Sequence, residues 1–329
     1  MNDDVTAQVR AAAHALLSQI DAAGHDDDAI ARSLDNCLDA LNRLGLIGEG
    51  NRLPSSELWN IAGHRLARGW LQHRARTKPR GYAGDHELLE RIYHGRLTDD
   101  PLGACFDRYF QAAAAPQAVR NRMKMMTGWL AEALSVDPPQ NVHVAVVGSA
   151  AALEISAAIQ KVSTHKRSAV RVTLLDIDPA ALEFARTLLA PLLTTDQLCT
   201  AAANLFRLPD RPQLARPLAG ADLIFCPGLF DYLADDAASR MLAVLYQPLA
   251  PGGRLVVFQF APHNPPRAYM EWFGNWYLIY RSLAELQRVV ATAQLPGAAA
   301  NYGAEPLGID LYVTLTKTSP LTRHPAPAH

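Results

Sequence analysis

An α/β fold with a doubly wound, mostly parallel sheet, preceded by a helical N-terminal cap region, is predicted by three observations. The stretch Val142 to Asp178 reads as strand, glycine-containing turn, helix, strand and acidic tip. From there to about Lys317, short β-branched runs alternate with helical segments, the order that yields a parallel sheet covered on both faces. Before about Val136, apolar residues recur at helical spacing instead.

Taken in order, Val5, Val9, Ala12, Leu16 and Ile20 predict a first helix. Ile30, Leu34, Leu38, Leu41 and Leu44 predict a second after the polar break Gly24-His25-Asp26-Asp27-Asp28. A third runs from Ser55 to about Arg74, with Trp59, Ile61, Leu66 and Trp70 as core positions. In TKPRGYAGDHELLERIY, Pro79, Gly81 and Gly84 interrupt the helical period, and Asp85 is placed to cap the next helix. One reading is a plain connection; the other gives Arg80 and Tyr82 to a ligand, because loops display side chains that packing does not claim. Pro116 to Leu134 is a long helix whose early Arg120, Arg122 and Lys124 oppose the macrodipole. Pro138-Pro139 marks the boundary between a helical domain, 1–137, and a catalytic domain, 138–318, and the proline-rich tail 319–329 reads as disordered.

In the second domain the predicted strands are Val142 to Val147, Val170 to Leu175, Leu198 to Ala202, Leu223 to Phe225, Leu255 to Phe260 and Leu311 to Thr316. Helices fall at Pro179 to Leu189 and Asp236 to Leu245, and the last strand is expected to insert antiparallel. With 329 residues and a net charge of -1, the chain has no basic excess to hold a nucleic-acid backbone. Cys37, Cys105, Cys199 and Cys226 are scattered without a CxxC pair, which suits free thiols in a reducing cytoplasm and gives no metal framework. No apolar run approaches the roughly 20 residues of a membrane span. The expected partner is a small molecule and the expected location cytoplasmic, with the oligomeric state open.

Chemistry-bearing residues gather at the carboxyl ends of successive strands, where ligands of such sheets sit. Gly148, Ser149 and Ala150 follow the first strand, with Glu154 on the helix after them. Asp176 and Ile177 end the second, Asn204 and Leu205 the third, and Gly228 and Phe230 lie in CPGLFDYL after the fourth. Asp176 is placed to accept hydrogen bonds from two ribose hydroxyls, and Asn204 to pair with an adenine edge. A nicotinamide cofactor is the rival, weakened because GSAAAL lacks two glycines of the dinucleotide fingerprint.

The run VAVVGSAAALEI, LLDIDPAALEFAR, AAANLF, ADLIFCPGLFDYL and LAPGGRLVVF resembles class I S-adenosylmethionine-dependent methyltransferases, a Rossmann-like fold, over roughly Asn141 to Lys317. The resemblance implies S-adenosyl-L-methionine as cofactor, with Gly148 letting the backbone approach its methionine part, Asp176 on the ribose and Asn204 on the adenine. Where the family usually has a second glycine this chain has Ala150, with Ala151 and Ala152 after it; each methyl narrows the approach to the cofactor, although alanine can still occupy helical backbone angles. KPRGYAGDHELLERIY, GLFDYL and NPPRAYMEWFGNWYLIYR are similar to bacterial methyltransferases that make 3-hydroxy fatty acid methyl ester signals, a subgroup with a helical N-terminal domain.

That resemblance implies carboxylate O-methylation of a hydroxy fatty acid or related acid, in signalling or secondary metabolism. Such an in-line displacement needs positioning more than covalent chemistry, and a carboxylate needs a cationic holder rather than a strong base. Arg80, Arg120, Arg267 and Arg281 are the candidate holders, and Tyr82, Tyr232 and Tyr280 the candidate orienting groups. Tyr269, Trp272, Phe273, Trp276 and Tyr277 either face a sulfonium and acyl chain or simply pack onto the cap. His143 and His165 read as structural or solvated. Two alternatives stand beside methyl transfer. One is cyclisation of the cofactor's methionine part to azetidine-2-carboxylate and methylthioadenosine; the other is a non-catalytic cofactor-binding regulator.

Overall fold

Among the described residues, seven strands form one sheet in the order β3-β2-β1-β4-β5-β7-β6. They are β1 (Val142–Val147), β2 (Val170–Asp176), β3 (Leu198–Ala202), β4 (Ala221–Cys226), β5 (Leu249–Phe260), β6 (Ala298–Ala304) and β7 (Asp310–Lys317). β1 to β5 are mutually parallel, while β7 runs antiparallel to both β5 and β6. The computed structural model describes residues 3–135 and 141–318. Pro138-Pro139 and the tail 319–329 lie outside the described residues.

The chain divides into two compact units, and the division is not linear in sequence. One comprises Met1–Met123 with Pro262–Leu278; the other comprises Lys124–Ala261 with Ile279–His329. The first holds α1 (Asp3–Ala23), α2 (Asp27–Asn42), α3 (Arg52–Leu66), α4 (Trp70–Thr77), α5 (His86–His94), α6 (Pro101–Ala112), the start of α7 (Ala114–Leu134), and α12 (Arg267–Trp272). The second holds the sheet with α8 (Leu153–Gln160), α9 (Thr164–Arg167), α10 (Pro179–Leu189), α11 (Asp235–Tyr246) and α13 (Leu283–Thr292).

The alternation of strand side chains explains both cores of the sheet unit. Val144, Val146, Leu174 and Phe258 face Ile155 and Ile159 of α8, Leu182 and Leu189 of α10, and Met126 and Leu130 of α7. Ala145, Val147, Ile224 and Val257 face Met241, Leu242 and Leu245 of α11 and Leu286 and Val289 of α13. Full burial of each large aliphatic side chain stabilises by about 1.5–3 kcal/mol, so the helices are fixed to the sheet by both faces.

Three sequence expectations are corrected. The helix expected over Ser55 to Arg74 is two helices, α3 and α4. Gly69 begins the second with a ψ of 117, and a Cβ there would lie 2.9 Å from Phe106 Cβ, so a continuous helix with an ordinary side chain does not fit. The fifth strand starts at Leu249, not Leu255, because Ala221 pairs with Leu249 before a register shift carries the ladder over Gly252 (φ 81). β6 was missed since AAANYGA has no β-branched residue; it forms by pairing along its whole length with β7, and Gly303 gives room to Tyr312.

Candidate functional site

The order of strands reverses direction between β1 and β4, and the crevice at such a switch point is where open α/β sheets bind ligands. The turn leaving β1 is held against β2. Gly148 and Ser149 both donate to the Leu175 carbonyl (2.8 and 3.2 Å), and Ala152 donates to Ser149 (2.9 Å). Gly148 has φ 74, and a Cβ there would sit 3.7 Å from Leu205 Cδ1. Ala150 and Ala152 also lie in the left-handed region, at φ 45 and 49, so the helical angles open to Ala150 are not the ones it adopts. Each such alanine costs about 1–2 kcal/mol. The Ser149 hydroxyl is buried in this turn without a hydrogen-bond partner.

Asp176 closes the turn from the other side. Its side chain is 4 % exposed, with Oδ2 accepting from the Ala150 amide (2.8 Å) and Oδ1 from the Asp178 amide (2.9 Å). Burial raises its pKa, while these amides pull the other way. The Ile177 amide also acts on the carboxylate, which with about four lone-pair sites still keeps acceptor capacity for a ligand. Asp178 in turn caps α10 through Ala180 N (2.9 Å).

β2 and β3 end side by side, with Asp176 opposite Ala202. Beyond them, Ile177 is 43 % exposed and Phe206 is 49 % exposed, two large apolar side chains left in water at the carboxyl edge. Exposed Asn204 caps its own turn by accepting from Phe206 N (3.1 Å), and Leu205 beneath it is buried. Glu154 is buried on α8, its carbonyl accepting from Thr127 Oγ1 (3.4 Å). Gly228 is partly exposed, and a Cβ there would meet nothing within 4 Å. Phe230 is instead a core side chain with no exposure, so only its backbone can serve a ligand.

Sequence reading missed the knot at the ends of β4 and β5. Asp231 Oδ1 accepts from Gln259 Nε2 (2.9 Å) and Phe260 N (2.8 Å), and its carbonyl accepts from Ile279 N (2.7 Å). Arg281 is 2 % exposed. Its Nε donates to Asp235 (2.9 Å), Nη1 to the Phe230 carbonyl (3.1 Å) and Gln259 Oε1 (2.6 Å), and Nη2 to the Leu233 carbonyl and Asp235 (2.8 Å). All five guanidinium hydrogens are thus committed to the protein, leaving none for a substrate carboxylate. Tyr232 and Tyr280 flank this knot in sequence and are half-buried. An aspartate inside GLFDYL was the available signal, since a buried carboxylate needs donors.

In the helical unit, Asp85 caps α5 through Leu88 N (3.0 Å), as expected, and receives Arg74 Nε (2.8 Å). Arg80 pairs with Glu87 (2.9 Å), and Tyr82 is half-buried beside it in sequence. Arg267 donates to Glu271 Oε1 (2.7 Å), whose Oε2 accepts from Gly48 N and Asn51 Nδ2, both at 2.7 Å. Arg120 is held by the Gln111 carbonyl (2.7 Å) and side chain (2.8 Å), which explains a cation early in α7. Tyr269, Trp272, Phe273 and Trp276 are buried; Tyr269 stacks on Phe110 (5.0 Å) and meets Phe273 edge-on (5.1 Å). Packing therefore accounts for these aromatics. His143 bonds Thr173 (2.9 Å) inside the sheet and is structural.

Among the described residues no group of histidine, cysteine, aspartate or glutamate side chains could hold a metal ion, and no helix is long and apolar enough to cross a membrane. No family model matches the chain, and no curated protein matches its sequence. Solved structures do match its fold. A possible exported protein from Bordetella parapertussis is 19% identical, with 96% of this chain and 96% of that chain covered and a TM-score of 0.59. The CurJ carbon methyltransferase is 13% identical, with 96% of this chain and 93% of that chain covered and a TM-score of 0.52. The fold is the class I methyltransferase fold. Gly148, Asp176, Ile177 and Asn204 stand at the carboxyl ends of β1, β2 and β3, the edge at which open α/β sheets bind ligands.

Proposed function

We propose that the chain is an S-adenosylmethionine-dependent methyltransferase acting on a small metabolite, with the carboxylate of a hydroxy fatty acid or related acid as acceptor. The observation that carries the reading is Asp176, a buried carboxylate whose two oxygens are fixed by separate main-chain amides and keep acceptor capacity. Two adjacent ribose hydroxyls suit that pair of acceptors. Exposed Ile177 and Phe206 offer apolar faces to a purine, and the unpartnered Ser149 hydroxyl offers a hydrogen bond beside the turn that Gly148 opens. When bound, S-adenosylmethionine supplies an electrophilic methyl group; the protein has to orient the acceptor and exclude water. Of the candidate orienting groups, Tyr232 and Tyr280 are preferred, because the Asp231–Gln259–Arg281 knot fixes their backbones while leaving them half-buried.

A second reading is favoured by Ala150 and Ala152. Their methyl groups occupy a left-handed turn where glycine would be unstrained, at the place proposed for the methionine part. A narrowed turn suits a folded methionine chain, and with it cyclisation to azetidine-2-carboxylate. Incubation with S-adenosylmethionine and 3-hydroxy acids, followed by mass spectrometry, separates the two. S-adenosylhomocysteine plus a methyl ester is the expected result; methylthioadenosine without any acceptor would overturn methyl transfer in favour of cyclisation. Calorimetry showing no binding of either S-adenosylmethionine or S-adenosylhomocysteine would reject both.

A further inference from the structure

The helical unit brings together three cations, of which, among the described residues, only Arg52 has a carboxylate partner. Arg76 of α4 is half-buried. Its Nη1 donates to Ser55 Oγ (2.9 Å) and the Trp272 carbonyl (3.4 Å), and its Nη2 to the Ser55 carbonyl (3.1 Å). Its guanidinium lies 4.5 Å over the Trp59 ring. None of these partners is an anion, and burial lowers its pKa to about 10. Arg52 lies 4.5 Å over the ring of Tyr277, whose phenol also feels Arg76. Arg52 meets a carboxylate, Glu49, through both Nε (2.5 Å) and Nη2 (2.7 Å), but that side chain is 79% exposed and solvent screens the pair.

Lys78 completes the group. It follows α4 at φ 49 and ψ 58, a left-handed position that favours glycine, and its ammonium has no hydrogen-bond or ion-pair partner among the described residues. Burial lowers its pKa, and Arg52 and Arg76 lower it further by repulsion. Glu271, close enough to act on the Tyr277 phenol, spends both oxygens on Arg267, Gly48 and Asn51. Backbone strain and uncompensated charge therefore coincide at one place, where ordinary stability would favour neither.

We propose that Arg52, over the Tyr277 ring, Arg76, over the Trp59 ring, and Lys78, within electrostatic reach of both, form a binding site for an organic carboxylate. A planar guanidinium matches a carboxylate with parallel hydrogen bonds, and the Trp59 and Tyr277 rings beneath the two arginines give an apolar body something to lie against. An inorganic oxyanion would use the charge and waste the rings. The site lies wholly in the helical unit and does not depend on the cofactor reading.

The test uses the full chain at low ionic strength without S-adenosylmethionine, so its failure leaves the cofactor assignment untouched. Calorimetric titration with octanoate should show binding that methyl octanoate does not reproduce. Lys78→Gly should melt higher than the parent protein without ligand, since glycine relieves the left-handed strain, yet bind octanoate about tenfold more weakly or worse. Arg52→Gln should weaken octanoate binding in the same direction. Unchanged octanoate affinity in Lys78→Gly would overturn the proposal, as would equal binding of the methyl ester. Binding of inorganic phosphate without binding of octanoate would overturn the assignment to an organic carboxylate.

Discussion

At the scale of single residues, Asp176 is subject to two opposite pH demands. Burial raises its pKa, so the fold favours the protonated acid; its contribution to the stability of the ligand-free protein is present below the unfolded pKa and lost as pH rises through the folded one. Affinity for a ligand held through two hydroxyls runs the other way, because only the carboxylate presents both oxygens as acceptors. Calorimetric titration with S-adenosylmethionine from neutral pH into the acid range should show affinity falling through a pKa above the ordinary aspartate value. Asp176→Ala should weaken binding about tenfold or more, the scale of hydrogen bonds to a charged group. Unchanged affinity would remove the ribose assignment. Ala150 gives a second residue-scale prediction: Ala150→Gly relieves a φ of 45 and should raise the urea midpoint, by about 1 kcal/mol in stability. The identity of Ala150 was legible in the sequence. Its backbone angle was not, because the amide bond to Asp176 that holds it is a contact between two strand ends.

At the scale of elements, periodicity succeeded wherever one stripe or one alternation faced a core, as in α10 and β1, whose limits match the pattern of buried residues. It failed where a distant element sets the geometry. α3 and α4 separate because Gly69 is pressed against Phe106 of α6, and no local signal reveals Phe106. Arg281 is the stronger case. An arginine near aromatics reads as a ligand holder, whereas its five hydrogens tie the segment before α13 to β5, α11 and the turn after β4. Arg281→Met should therefore destabilise the fold by about 3–5 kcal/mol, since it strands Gln259 and two carbonyls in a buried place. A urea denaturation series measures this, and a loss within about 0.5 kcal/mol, the scale of a surface substitution, would contradict the scaffold role.

At the scale of the whole molecule, the decisive feature is the passage of the chain between units at Met123, Ala261 and Leu278. Composition shifts point to a helical half followed by a sheet half, and cannot show that Pro262–Leu278 returns to the helical unit. What draws it there is apolar area: Trp272 and Phe273 are fully buried, and Tyr269 stacks on Phe110 and meets Phe273 edge-on. Polar bonds fix the same segment, with Ser55 Oγ reaching the Trp272 carbonyl (3.0 Å) and Glu271 gripping Asn51 (2.7 Å). A fragment of residues 124–329 would keep every strand of the sheet while leaving these aromatics without their partners. Exposed apolar patches of that kind drive association. Size-exclusion chromatography of the fragment should show aggregation, and adding residues 1–123 in trans should restore a monodisperse species. A monodisperse 124–329 fragment would mean that the aromatic segment is stable without the helical unit. Replacing Pro262–Leu278 in the fragment by a short glycine-serine linker is the matching rescue, because it removes the unpartnered aromatics and leaves β5 and α13 joined.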